Sequence, residues 1–353
     1  MTRPPLPTCT LMRRDIDKPF EKSITSYWLI NWQTIVASFF SFCLVAMLAR
    51  LLRQIYFLQL VSGALMGAYL AGRFAPDAHL LTAASVVAGA LLLPLLLQVI
   101  VIVVSMVRSD AGGQSSLWWR AFWGELGAAL RVYLFRQPWS VRSLGIAMPV
   151  PHNTSPQPPQ KVPVVLVHGY FCNHRVWDDV APALQEAGHT VLAIDLEPLF
   201  TSIDDYAPLI DQAVTALADR CNAGRVALVG HSMGGLAIRA WMRAHGNTRV
   251  AGVITLGSPH QGTRIAKQSI TANGAQMVWH SDWLQMLERS ETKVSRQMMQ
   301  IALTPQDNIV FPQCEQVLAG ASVTQFSGLG HLEMCLDRHV IAWLTQRLAT
   351  LDT

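Results

Sequence analysis

The chain has 353 residues with 27 Lys/Arg against 23 Asp/Glu, and 51% of it is hydrophobic with a mean hydropathy of +0.29. That length holds one or two domains, and the apolar content is high for a soluble protein, so part of the chain is expected to lie in or on a membrane. The six cysteines show no C-x-x-C pair and no zinc-ligand spacing, so no metal and no cofactor are expected.

Residues 1–28 read as a basic tail, with Arg13, Arg14, Lys18 and Lys22 and no apolar run ahead of a cleavage site, so no signal peptide is expected. Three apolar stretches follow, Leu29 to Ala49, Ile55 to Ala71 and Leu80 to Val107, and the last two carry no charged residue. The third exceeds the roughly 20 residues that cross a bilayer. The first is diluted by Asn31, Gln33, Thr34, Ser38 and Ser41, so residues 29–107 are expected to form two to three transmembrane helices. Charge divides in the same place. Residues 1–161 hold 14 Lys/Arg against 6 Asp/Glu, which suits anionic lipid headgroups, whereas residues 162–353 hold 13 against 17 and offer no nucleic-acid surface.

Over residues 116–139, Trp118, Trp119, Phe122, Trp123, Leu126, Leu130, Tyr133 and Leu134 recur at helical spacing, with Arg120, Glu125, Arg131 and Arg136 off that stripe. Two readings fit: an amphipathic helix in the membrane interface, where tryptophan is favoured, or a helix that faces a protein core. The prolines of residues 149–161 mark a linker. A second domain is expected over residues 162–349, and a chain starting near residue 155 is expected to be soluble and to work on its own.

In that domain the segments 162–169, 190–196, 225–230 and 249–259 are short, continuous and rich in Val, Ile and Leu, as strands buried on both faces are. Helical patterns near 176–187, 204–221 and 233–246 separate them, which is the alternation of a mostly parallel α/β sheet covered on both sides. Ser232 follows one of these strands directly and precedes a helix. A serine on so tight a turn is lifted clear of the sheet, and the turn closes only around small neighbours, here Gly230 and Gly234. A serine hydroxyl needs a base to take its proton, and the base needs a carboxylate to orient it. Asp307 and His331, each in a loop after an apolar run, follow the serine in that order. Asp282, Glu288, Glu315 and Asp337 are the rival carboxylates, and His260 and His339 the rival bases. The backbone N–H groups of Met233 and Tyr170 are the expected oxyanion donors, with His168 shaping the loop that carries Tyr170.

The motifs VVLVHGY, VGHSMGG, TLGSPHQGT, PQDNIVFP and SGLGHLEM, in this order, resemble the α/β-hydrolase fold and within it the bacterial lipases and esterases that act on acylglycerols. The resemblance implies ester hydrolysis through an acyl-enzyme at Ser232, Asp307 and His331. It departs from secreted lipases in the membrane stretches at the front. The expected activity is thus a membrane-anchored serine hydrolase acting on carboxylic esters, with lipid acyl esters as substrate and the bilayer as partner. An acyltransferase or thioesterase with the same residues, and a non-catalytic membrane scaffold, are the alternatives. The expected location is a bacterial inner membrane, with the domain on the periplasmic side if there are three spans and on the cytoplasmic side if there are two. The segment Arg264 to Gln297 is read as either a cap or a pair of packing helices, and Cys314 and Cys335 as either a bonded pair or two free thiols.

Overall fold

The computed structural model describes residues 47–74, 77, 79–109, 115–140 and 161–351. The basic tail, most of the first apolar stretch and nearly all of the Pro-rich linker lie outside the described residues.

Two long apolar helices come first, α1 (Met47–Phe74) and α2 (His79–Arg108), each long and apolar enough to cross a membrane. At 1.5 Å per residue they measure about 42 and 45 Å, against a hydrocarbon core of about 30 Å. They pack at small residues: a Cβ on Gly63 would stand 2.1 Å from the Gly89 carbonyl oxygen, and one on Gly67 would stand 2.0 Å from that of Ser85. Helices associate in this way in lipid, where close backbone approach replaces the hydrophobic driving force. Much of the pair is exposed, including Phe57, Leu65, Tyr69, Leu80, Leu91 and Val101. Apart from small residues such as Gly63, Gly67 and Ala71, and Pro94, the covered positions are at the ends that meet the rest of the chain, Leu48, Ala49 and Leu52 on α1 and Ile102, Ser105 and Met106 on α2.

Next comes α3 (Ser115–Ala129), continued by a π-helical turn over Leu130–Arg136 and a 3₁₀ turn over Gln137–Trp139. From residue 164 the alternating pattern becomes β1 (Val164–Val167), α4 (Val180–Glu186), β2 (Val191–Ile194), α5 (Ala207–Cys221), β3 (Val226–His231), α6 (Met233–His245) and β4 (Val250–Leu256). The short helices α7 (Ala272–Gln276), α8 (Asp282–Ser290) and α9 (Lys293–Gln297) precede β5 (Met299–Leu303), β6 (Ser322–Gln325) and the closing α10 (Arg338–Leu348). All six strands are parallel, in the order β2-β1-β3-β4-β5-β6.

Successive side chains of a strand point to opposite faces, and the core divides accordingly. Val165, Val167 and Leu228 pack with α5, α6 and α8 through residues such as Ile210, Leu217, Leu236 and Trp283. Val164, Leu166, Ala227 and Val229 pack on the other face with Val180 and Leu184 of α4 and Val340 and Leu344 of α10. Phe122, Leu126 and Val132 belong to this second cluster. The aromatic helix is thus part of a layer of the sheet domain, and the core extends upstream of residue 162. Phe122 and Leu126 turn inward, while Trp119, Trp123, Phe135 and Trp139 are more than half exposed. Its charged residues, which lie off the aromatic stripe, dock onto the domain. Arg136 makes two bonds of 2.9 Å to the Asp179 carboxylate, and Arg120 donates to the Gly328 carbonyl at 2.5 Å.

The segment Arg264 to Gln297 packs rather than standing clear, since Met277, Trp283, Leu284 and Leu287 are in the core cluster on α6. Cys314 is exposed and Cys335 buried, both as free thiols.

Candidate active site

The sheet order reverses between β1 and β3, and such a switch point opens a crevice at the carboxyl ends of the strands. Ser232 stands there, between the last residue of β3 and the first of α6, with φ 54° and ψ −127°. That conformation costs a serine about 1–3 kcal/mol, and its neighbours impose it. The Ser232 N–H donates to the Leu256 carbonyl at 2.9 Å, and the Ser232 carbonyl accepts from Gly235 at 3.0 Å. The two glycines are required by space. A Cβ on Gly230 would lie 2.6 Å from the Gly235 nitrogen, and one on Gly234 would lie 2.1 Å from the Val167 carbonyl oxygen of β1.

Asp307, in the loop after β5, and His331, in the loop after β6, meet at 2.8 Å between Oδ2 and Nδ1. The other Asp307 oxygen accepts the N–H groups of Ile309 at 2.9 Å and Val310 at 2.7 Å, which fixes the carboxylate in its turn. Nδ1 of His331 is therefore the protonated donor and Nε2 is left as acceptor. Burial opposes the charged imidazolium. The Asp307 charge and hydrogen bond, with a smaller push from Glu125, outweigh it and hold His331 above the usual histidine value. His231 faces the same ring at 4.7 Å between centroids and is held well below its usual value by burial and by His331.

Both partners lie over Gly257, where a Cβ would be 3.2 Å from Asp307 Oδ2 and 3.2 Å from His331 Nδ1. Gly257 follows Leu256, which binds the Ser232 N–H, and His231, one residue before Ser232, donates from Nε2 to the His331 carbonyl at 3.2 Å. Ser232 and His331 are each 6% exposed and Asp307 is 2% exposed, so all three are almost withdrawn from water. The Ser232 side chain makes no capping bond to α6, and contacts between a nucleophile and its base are commonly long in a substrate-free site and tighten on binding.

The loop after β1 closes over the serine. A Cβ on Gly169 would come within 2.7 Å of Ser232 Cβ, so Tyr170, the next residue, stands beside the nucleophile turn. His168 donates from Nδ1 to the Gly169 carbonyl at 2.9 Å and accepts the Leu196 N–H at Nε2, also at 2.9 Å. It ties two loops as a neutral ring, its value lowered by burial. Met233 is the first residue of α6 and 1% exposed. Tyr170 and Phe171 of this loop are each in ring contact with Phe200, while Leu48 and Leu52 of α1 cover Leu199.

Residues 164–341 match the alpha/beta hydrolase family. The chain belongs to that family. Methylesterase 3 of Arabidopsis thaliana is 38% identical across 22% of this chain and 33% of its own length, so the hydrolase spans about a third of that relative. Among solved structures, the mature lipase BlEst2 of Bacillus licheniformis is similar at 17% identity and a TM-score of 0.49, over 56% of this chain and 96% of that one. Aspergillus fumigatus lipase B aligns at 15% identity and a TM-score of 0.47, over 60% of this chain and 59% of that one. The esterase EaEST of Exiguobacterium antarcticum aligns at 17% identity and a TM-score of 0.42, over 53% of this chain and 91% of that one.

The rival residues of this hydrolase have other partners. Asp337 caps α10 through the N–H groups of His339 and Val340, Glu288 pairs with Arg296, and Asp282 and Glu315 are exposed. His260 is buried against Thr255 at 2.9 Å, and His339 is exposed. Among the described residues no group of three His, Cys, Asp or Glu side chains is placed to hold a metal.

Two side chains that the sequence did not mark touch the loops of Asp307 and His331. Asn308 accepts the His331 N–H at 3.1 Å and donates to Ser105 Oγ of α2 at 2.8 Å. Glu125 accepts the N–H groups of Leu332 and Glu333 at 2.8 and 3.0 Å. The only signal for Glu125 was a single carboxylate in an aromatic helix, and Ser105 gave none, because polar residues at the end of an apolar helix read as interfacial.

Proposed function

We propose that this hydrolase is a membrane-anchored enzyme that cleaves carboxylic esters, with lipid acyl esters as its substrate class. The observation that carries the reading is the Asp307–His331 bond beside a strained serine at the strand-to-helix turn. In the proposed reaction His331 Nε2 takes the Ser232 proton as Oγ bonds to the acyl carbon, and the carbonyl electron pair moves onto oxygen. The N–H groups of Tyr170 and Met233 receive that oxyanion. When the C–O bond to the alcohol breaks, the imidazolium returns the proton to the leaving oxygen. Water then repeats the sequence on the acyl-enzyme, releasing the acid and restoring Ser232.

Lipid as the acyl source is supported by the apolar rings of Tyr170, Phe171 and Phe200 beside the nucleophile turn and by the foot of α1 packed against Leu199 and Phe171. A long acyl chain would have apolar surface along its path, and α1 and α2 would supply it from the bilayer without a transfer through water. The test is an ester panel graded by chain length, run on the full chain in vesicles. Long-chain acylglycerols are expected to be cleaved at a kcat/KM above that of acetate and butyrate esters. A preference for the shortest esters would overturn the lipid assignment.

The pH dependence follows from the sign of the His331 shift. The base works only when neutral, and a raised value means that neutrality is lost earlier as pH falls. The acid limb of kcat/KM is expected above the ordinary histidine value of about 6.5. In Asp307→Asn the limb should move to lower pH, because the opposing carboxylate charge is gone. A wild-type limb below 6, unmoved by that substitution, would assign the limb to another group.

A further inference from the structure

Of the buried ionisable side chains that the proposed reaction does not use, Glu125 has the most informative position. It belongs to α3, upstream of the family match, and is 3% exposed. One oxygen, Oε2, accepts two consecutive backbone N–H groups, Leu332 at 2.8 Å and Glu333 at 3.0 Å. On the other side of His331, Gly330 lies so close that a Cβ there would come within 2.5 Å of the Glu125 side chain. Glu125 is thus embraced by the residues on either side of His331.

We propose that Glu125 is a positioning residue for His331, supplied by the helix next to the membrane segment. The loop around His331 contains Gly328 and Gly330 and has little intrinsic stiffness. Two successive N–H groups converge on one acceptor oxygen, and burial pushes the Glu125 carboxyl above its usual value, so what the loop takes from Glu125 is the placed oxygen rather than the charge. Leu332 is 4% exposed, so water is a poor substitute for that acceptor. The acceptor is itself fixed, because Phe122 and Leu126 hold α3 in the core of the sheet domain. Asn308 also binds the loop, but it neighbours Asp307 and moves with the acid, whereas Glu125 reaches the base from a separate helix. A reacting group displaced by about 1 Å loses on the order of 100-fold in rate, so an anchor outside the acid loop sets how often His331 is in register.

The inference rests on His331 as the base of the proposed hydrolysis. The experiment uses the full chain in detergent and compares wild type, Ser232→Ala, His331→Ala, Glu125→Gln, Glu125→Asp, Glu125→Ala and, as a packing control on the opposite face of the sheet, Leu217→Ala. It reads the rate of fluorophosphonate labelling, kcat and KM on a short nitrophenyl ester, and the thermal midpoint. Glu125→Ala should label about 10- to 100-fold more slowly, with kcat falling and KM within about twofold. Glu125→Gln, which keeps an acceptor oxygen in place, should return to within about threefold of wild type. Glu125→Asp keeps the carboxyl but falls one methylene short, so it should stay slow. Leu217→Ala should lower the midpoint and leave the labelling rate near wild type. The proposal is overturned if Glu125→Ala labels at the wild-type rate, or if Leu217→Ala slows labelling as much as Glu125→Ala does. It is also overturned if Asp rescues and Gln does not, a comparison that decides the matter even where Glu125→Ala fails to fold. Failure of the underlying reading looks different: His331→Ala would then label like wild type.

Discussion

Replacing Ser232 with Ala is expected to reduce ester hydrolysis to background, with a fall in kcat of at least about 10³-fold and a fold that survives. The serine contributes its Oγ and little packing, and alanine at φ 54° suffers the same strain, so the thermal midpoint should stay within a few degrees. His331→Ala should come close to the same loss, because an unactivated hydroxyl is a poor nucleophile near neutral pH. The two losses should not add. Residues that act as one unit fail together, so the double variant should be about as slow as the worse single one. Hydrolysis assays of the three variants, with circular dichroism to verify folding, decide this. Losses that multiplied would mean that Ser232 and His331 act independently.

The second large effect concerns where the working domain begins. A chain starting near residue 155 should lose activity on short soluble esters and on long-chain esters alike. Removing α3 and its π-helical turn takes Phe122, Leu126 and Val132 out of the cluster that holds Leu166, Leu329 and Leu332. At about 1.5–3 kcal/mol for each large buried side chain, the loss is a serious share of a domain stability of about 5–15 kcal/mol. It also leaves the N–H groups of Leu332 and Glu333 without the Glu125 acceptor. A chain starting near residue 113 keeps α3 and should recover activity on the short ester. Measuring both on a short nitrophenyl ester separates the cases. Full activity from the shorter chain would show that the upstream helix serves only to anchor.

That boundary is also where the sequence was least legible. Continuous apolar runs mark parallel strands because both of their faces are buried; β1, β2 and β4 fall inside the segments read that way, and β3 runs one residue past its own. The turn at Ser232 was legible because its glycines are a steric requirement of the turn itself. Asp307 and His331 could be placed by chain order and by the runs before them, and the structure brings the two together. The aromatic helix was ambiguous for a physical reason. A stripe of Trp, Phe and Leu suits both a lipid interface and a protein core, and α3 turns Phe122 and Leu126 into the core while leaving Trp119 and Trp123 exposed. Glu125 and Asn308 act on backbone N–H groups more than 20 residues away, and no local spacing encodes such a contact.

Labelling the full chain with a fluorophosphonate and mapping the adduct by peptide mass spectrometry tests the role of Ser232 most directly. The expected result is a single adduct on the peptide bearing Ser232, absent in Ser232→Ala and formed far more slowly in His331→Ala. An adduct on another residue, or undiminished labelling of Ser232→Ala, would contradict it.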